Sequence, residues 1–110
     1  MISYEDFTKV DIRVGTVLRV EEFREARKPA LKLLIDFGPE LGHKKTSAQI
    51  THLYEQENLV GKQVLAVVNF PPKQVGSFMS EVLVLGLSNT ENEIVLIGPE
   101  RTVPNGNKLH

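Results

Sequence analysis

Gln63-Val64-Leu65-Ala66-Val67-Val68-Asn69-Phe70-Pro71-Pro72-Lys73-Gln74-Val75-Gly76-Ser77-Phe78-Met79-Ser80-Glu81-Val82-Leu83-Val84-Leu85-Gly86 is the stretch on which the fold turns. Its two apolar runs, Val64 to Val68 and Val82 to Leu85, read as buried strands. Between them Pro71 and Pro72 lack backbone donors and Gly76 permits positive φ, so the chain is predicted to leave the sheet over residues 69–81. That loop carries Phe70, Phe78, Met79 and Lys73 with little core to fill. An apolar loop bearing one cation suits a binder of nucleic-acid bases or of extended peptide.

Upstream, Ser3-Tyr4-Glu5-Asp6 predicts a short helix with Ser3 as N-cap and acids in its first turn, ending near Val10. From Ile12 the pattern alternates. Ile12, Val14, Thr16, Leu18 and Val20 are expected on one strand face, with Arg13, Gly15, Val17, Arg19 and Glu21 on the other and the two arginines pointing outward. Residues 22–29 are polar and end in proline, hence a loop, after which Leu31, Leu33, Ile35 and Phe37 alternate with Lys32, Leu34 and Asp36 as the clearest strand. Gly38 to Gly42 is turn chemistry. Residues 44–50 read as a third strand with Thr46, Ala48 and Ile50 on one side.

Ile50, Leu53, Tyr54 and Glu57 shift the spacing to three and four, predicting a short helix over residues 51–58 with Asn58 and Gly61 as stop signals. Strands over 63–70, 81–87 and 93–98 and a turn-rich tail complete the chain. Five main strands with a helix between the third and fourth is the order of an OB barrel. The expected fold class is therefore all-β with short helices, a five-stranded OB-fold β-barrel plus N- and C-terminal extensions, in a single domain spanning 1–110. Closing so small a sheet also hides edge backbone groups that an open one would expose.

The 110 residues allow one core, and 41% hydrophobic with 25% charged residues is ordinary globular composition. No apolar run reaches the roughly 18 residues of a membrane span, and the N-terminus has neither a basic start nor an apolar signal core. No membrane insertion is expected and the cytoplasm is the default location. The chain has no cysteine, which removes disulfides and thiolate chemistry. His43, His52 and His110 lack carboxylates at metal-ligand spacing, no glycine-rich phosphate motif follows a strand, and Ser80-Glu81 has no recognisable base partner. Neither catalysis nor any cofactor or metal is expected.

The net charge of −1 conceals asymmetry, with residues 91–100 acidic and the groups Arg24, Arg27, Lys28, Lys32 and His43-Lys44-Lys45 basic. In an OB barrel the ligand usually crosses the face of the second and third strands, between the loop joining strands one and two and the loop joining four and five. Here the first loop supplies cations and the second supplies apolar groups. Phe70 or Phe78 either plugs the barrel end or lines that cleft.

Asp11-Ile12-Arg13-Val14-Gly15, Leu59-Val60-Gly61-Lys62, Val68-Asn69-Phe70-Pro71-Pro72-Lys73 and Val103-Pro104-Asn105-Gly106 resemble the tRNA-binding domain found free-standing and appended to aminoacyl-tRNA synthetases. Glu25 to Ala30, Ser47-Ala48-Gln49-Ile50-Thr51 and Phe78 to Gly86 are similar to its CsaA branch. The resemblance covers residues 11–109. It implies an OB fold, a homodimer and a chaperone-like role in protein export, with tRNA binding implied by the wider family. Where tRNA-binding relatives carry a His-Pro-Asn-Ala-Asp-Lys type of loop, this chain has Phe23-Arg24-Glu25-Ala26-Arg27-Lys28. Where they run Glu-Ser-Gln-Gly-Met, it has Phe78-Met79-Ser80-Glu81-Val82. A groove-facing Glu81 would repel phosphate unless paired internally, so these departures favour an apolar ligand.

Two readings follow. In the first, Phe70, Phe78 and Met79 with Gln49 bind unfolded or precursor polypeptides, methionine adapting to varied partners. In the second, Arg13, Arg27, Lys28, Lys32, Lys73 and Ser80 take tRNA phosphates while Phe78 or Gln49 meets an unstacked base. Tyr4, Phe7, Val10, Ile94, Leu96, Ile97, Val103 and Leu109 exceed what one barrel core can take, which predicts an isologous homodimer.

Overall fold

The computed structural model describes all 110 residues. Helix α1 (Tyr4–Thr8) begins where the sequence places it: Ser3 Oγ accepts from the Asp6 amide and Asp6 Oδ2 from the Ser3 amide, a reciprocal capping box. Strands β1 (Ile12–Glu22), β2 (Leu31–Asp36), β3 (His43–Ala48), β4 (Gln63–Val67) and β7 (Leu83–Val84) form one antiparallel sheet in the order β3-β2-β1-β4-β7. The sheet curls almost shut. At the seam the Glu81 amide donates to the Lys45 carbonyl at 2.8 Å, and the Lys45 amide donates to Glu81 Oε1 at 2.9 Å. The OB-type barrel expected from the strand order is therefore present.

β2 follows the predicted alternation, with Leu31, Leu33 and Ile35 buried and Lys32, Leu34 and Asp36 on the outer face. β1 does not. Its pairing with β2 shifts register between Val17 and Arg19, so Leu18 is an extra residue, exposed, while Val17 is fully buried in the core. The bulge has a purpose: residues 12–16 pair with β4 and residues 16–22 with β2, and a strand serving both walls of a barrel must bend between them. Arg13 is consequently not an outward cation. Its Nε donates to Asp11 Oδ1 at 2.6 Å and its Nη1 to the Gly106 carbonyl at 2.9 Å, and the Asp11 carboxylate raises its pKa further above the ordinary guanidinium value.

Four other expectations are corrected. Helix α3 (Gln56–Leu59) starts later than residue 51, because the Asn58 side chain accepts from the Glu55 amide and donates to the Leu53 carbonyl, holding residues 53–55 outside the helix. Gly38 to Leu41 winds into one helical turn, α2. Residues 69–81 are not a plain loop but hold a hairpin, β5 (Lys73–Val75) and β6 (Phe78–Ser80), turning on Gly76-Ser77 with Gly76 at φ +62°. Beyond it the strand expected over 81–87 changes partner at Leu85: β7 pairs with β4, while β8 (Gly86–Ser88) pairs with β9 (Ile94–Leu96).

Val17, Val20, Leu31, Leu33, Ile35, Phe37, Leu59, Val64, Ala66 and Val82 make the barrel core, with Ile94 and Leu96 packed against it. Those two residues are thus part of the core rather than surplus to it. The tail returns to the start: the Gly106 amide donates to the Val14 carbonyl, the Val14 amide to the Asn107 carbonyl and the Leu109 amide to the Ile12 carbonyl, so the tail lies along the initial segment of β1. Gly106, at φ +93°, sits so near the Phe37 carbonyl that a β-carbon there would lie 2.4 Å from the oxygen.

Candidate functional site

β2 and β3 present Lys32, Leu34, Lys45 and Ser47 on the outer face, because their alternates Leu33, Ile35 and Thr46 point into the core. Two segments converge over this face. From the loop after β1 comes Phe23, 3% exposed, whose amide bonds the Ala30 carbonyl at 3.0 Å and so closes the loop at its neck. From β6 comes Phe78, half-buried, its ring 5.4 Å from that of Phe23 at a 60° edge-to-face angle. The Lys32 ammonium lies 4.8 Å from the Phe23 centroid and 5.3 Å from that of Phe78, and the Lys45 ammonium is also 5.3 Å from the Phe78 centroid. Glu25 Oε2 accepts from Lys32 at 3.3 Å.

Phe78 is placed by a directed hydrogen-bond chain. Thr46 Oγ1 is 2.6 Å from the Val82 carbonyl and 2.8 Å from Ser80 Oγ, which in turn accepts from the Ser47 amide at 3.1 Å. A carbonyl can only accept, so the Thr46 proton points to Val82, and the Ser80 proton must therefore point to Thr46. The run Ser47 N–H, Ser80, Thr46, Val82 C=O welds β6 to the β3 edge. Ser80 is accordingly occupied within the seam. The Glu81 carboxylate meets the Lys45 amide there rather than a cation's side chain.

The other predicted residues are distributed around this focus. Arg27 and Lys28 are exposed in the loop 23–30 with no carboxylate within 4.0 Å, and Gln49 is exposed one residue beyond β3, whose last residue Ala48 pairs with Leu31. Lys73 is exposed at the start of the hairpin, opposite Ser80. Met79 pairs with Gln74, so it faces the opposite side of the hairpin from Phe78. Phe70 is 53% exposed, but Asn69 beside it bonds the Asp11 amide and the Lys9 carbonyl, which anchors this segment to the beginning of β1. Phe70, Phe78 and Met79 thus do not form one patch, and Arg13 lies about 25 Å along β1 from the end where Glu21 pairs with Lys32.

Phe23, Leu34 and Lys45 complete the site, and the sequence carried a signal for each. Phe23 is the one aromatic in an otherwise polar loop, while Leu34 and Lys45 occupy the outward phase of their strands. A cleft of about 370 Å³ lined by Thr16, Lys62, Gln63, Glu100 and Arg101 lies elsewhere and holds no apolar group. No three His, Cys, Asp or Glu side chains are grouped to hold a metal, and no helix is long and apolar enough to cross a membrane.

The family model described as "Putative tRNA binding domain" matches residues 12–108. Among solved structures, chaperone CsaA from Bacillus anthracis str. Ames is 55% identical with a TM-score of 0.93, over 100% of this chain and 99% of that one. The CsaA chaperone protein from Picrophilus torridus is 50% identical with a TM-score of 0.93, over 100% of both chains. The methionine–tRNA ligase of Porphyromonas gingivalis is 38% identical over 108 residues, 98% of this chain but 15% of the ligase. The chain therefore spans only a small part of the length of the curated relatives it matches.

Proposed function

Because the chain belongs to the tRNA-binding-domain family, and within it to the CsaA branch, we propose that it is a chaperone-like protein that binds unfolded or export-destined polypeptides in the cytoplasm. The observation that carries this reading is the half-buried Phe78 ring, braced edge-to-face by buried Phe23 on the outer face of β2 and β3. A ring held this way offers apolar area without losing rotamer freedom on binding. Likeness over the full chain to two structures described as CsaA chaperones supports the same assignment. Gln49, at the neighbouring end of β3, supplies an amide for a client's backbone, and Met79 and Phe70 offer separate secondary contacts.

A second reading, a tRNA-binding or synthetase-type accessory module, is favoured by the family itself and by the exposed Arg27, Lys28, Lys45 and Lys73, with half-buried Lys32, around the same face. Salt separates the two. Phosphate contacts weaken steeply between roughly 50 and 200 mM salt, whereas apolar contacts hold. Titrating the wild type, Phe78→Ala and Lys73→Ala against a reduced, unfolded client and against bulk tRNA is the test. Loss of client binding in Phe78→Ala with little salt dependence is expected; intact client binding in that variant, with tRNA binding abolished in Lys73→Ala, would transfer the assignment to RNA.

The protein is further proposed to act as a homodimer. Leu83 on β7 is 50% exposed, and Leu87 and Val95, paired across the separate β8–β9 ladder, are 66% and 39% exposed, so apolar side chains stand uncovered on both sheets. A second copy would cover them. Light scattering at micromolar concentration should return twice the chain mass; a monomer would refute this arrangement.

A further inference from the structure

We propose that the Phe78 surface selects its clients by charge, accepting apolar segments that carry an adjacent Asp or Glu and refusing those flanked by Lys or Arg; this rests on the polypeptide-binding reading above. Two ammonium groups stand at 5.3 Å from one ring, Lys32 and Lys45. They are not equivalent. Lys32 is paired to Glu25 at 3.3 Å and its side chain is only 26% exposed, whereas the Lys45 ammonium has no carboxylate within 4.0 Å, the Glu81 carboxylate being held by the Lys45 backbone amide instead. The Lys45 ammonium is thus an exposed charge without an ion-pair partner, beside a half-buried aromatic ring.

A client side chain laid on Phe78 and Leu34 brings its sequence neighbours within a few ångströms of that ammonium. A client carboxylate there gains a partner that the fold leaves open. A client cation meets two like charges already standing beside the ring. One ligand charge about 7 Å from Lys45 alters affinity roughly threefold in a water-like dielectric, so reversing its sign alters it about tenfold. A single carboxylate fits this spot better than a phosphodiester chain, because the second ammonium is taken by Glu25, and the Ser80 hydroxyl is turned into the seam.

The test is fluorescence anisotropy with labelled peptides that share one apolar core and differ in flanking Asp, Asn or Lys pairs, at about 0.01 M salt, where a Debye length of roughly 30 Å leaves the Lys45 charge little screened. The Asp-flanked peptide should bind about tenfold more tightly than the Lys-flanked one. In Lys45→Gln the difference should shrink to threefold or less; because Lys45 makes its seam bonds through the backbone, this variant keeps the fold. Equal affinity for the Asp and Lys peptides, or discrimination that survives in Lys45→Gln, would overturn the proposal while leaving polypeptide binding intact. If none of the three peptides binds, the polypeptide reading itself fails. A single-stranded RNA oligonucleotide that outcompetes the Asp peptide and loses affinity in Lys45→Gln would overturn it in favour of phosphate recognition.

Discussion

Replacing Thr46 by valine removes one oxygen from a fully buried position and puts a methyl in its place. On hydrophobic grounds alone this should stabilise, since burying the extra methyl is worth about 0.8 kcal/mol. The directed chain through the seam predicts the reverse. Without the hydroxyl, the Val82 carbonyl loses its 2.6 Å donor and the Ser80 proton loses its acceptor, although Ser80 Oγ still accepts from the Ser47 amide, so two hydrogen-bonding partners are lost at the β3 edge. Each costs about 1–3 kcal/mol when buried. Taking the lower half of that range for two groups and subtracting the methyl gives a net loss of about 2 kcal/mol. For a chain of this size that corresponds to a fall of about 8 °C in Tm. Thr46→Ser keeps the hydroxyl and loses only a methyl, so it should cost about 1 kcal/mol and be the more stable of the two variants. Urea denaturation followed by circular dichroism, with an unchanged m-value, measures both. Adding Ser80→Ala to Thr46→Val should cost less than the sum of the single effects by about 1 kcal/mol, because both act on one network. If Thr46→Val matches the wild type, or proves more stable than Thr46→Ser, the seam is not held by these hydroxyls.

Two further outcomes follow from features of the backbone. Gly106→Ala and Gly42→Ala both place a β-carbon on a positive-φ residue, at +93° and +74°, but only the first meets an obstacle, the Phe37 carbonyl at 2.4 Å. Gly42→Ala should cost about 1 kcal/mol and Gly106→Ala about 3 kcal/mol or more, and equal urea midpoints would show that the tail can move away without loss. At the other terminus, the Ser3 amide and hydroxyl hold the Asp6 carboxyl below its ordinary value. A depressed carboxylate contributes its capping above the unfolded pKa and loses it as pH falls through the folded one. The Ser3 amide resonance should therefore titrate below about pH 3.9, and be pH-independent in Asp6→Asn; a midpoint at or above that value would refute the capping box in solution.

How far the molecule could be read in advance varied by element. β2 was legible because both of its phases are chemically distinct, apolar at Leu31, Leu33 and Ile35 and polar at Lys32 and Asp36. β1 was not, because Leu18 continues the apolar rhythm across a bulge that a linear pattern cannot show; the bend arises from pairing with β4 and β2, which are remote in sequence. The hairpin is masked in the sequence although Val75-Gly76-Ser77-Phe78 has the form of a two-residue turn, because Pro71 and Pro72 just before it argue against a strand. The two loops expected at the site do meet, through Phe23 and Phe78. What the pattern could not supply was which apolar groups share a side: Met79 follows Phe78 directly and for that reason faces away from it.

The tail laid along β1 has a bearing on architecture at a larger scale. Tyr4, Phe7 and Val10 border the same small hollow as Lys108, Leu109 and His110, so the chain enters and leaves this body at neighbouring points. Lys32, Lys45 and the two rings sit toward the far end of the long strand. A unit wired in this way can be tethered through either terminus, or through both at once, with the proposed binding face left pointing outward. The geometry suits a portable part, equally serviceable standing alone or hung from a much longer polypeptide.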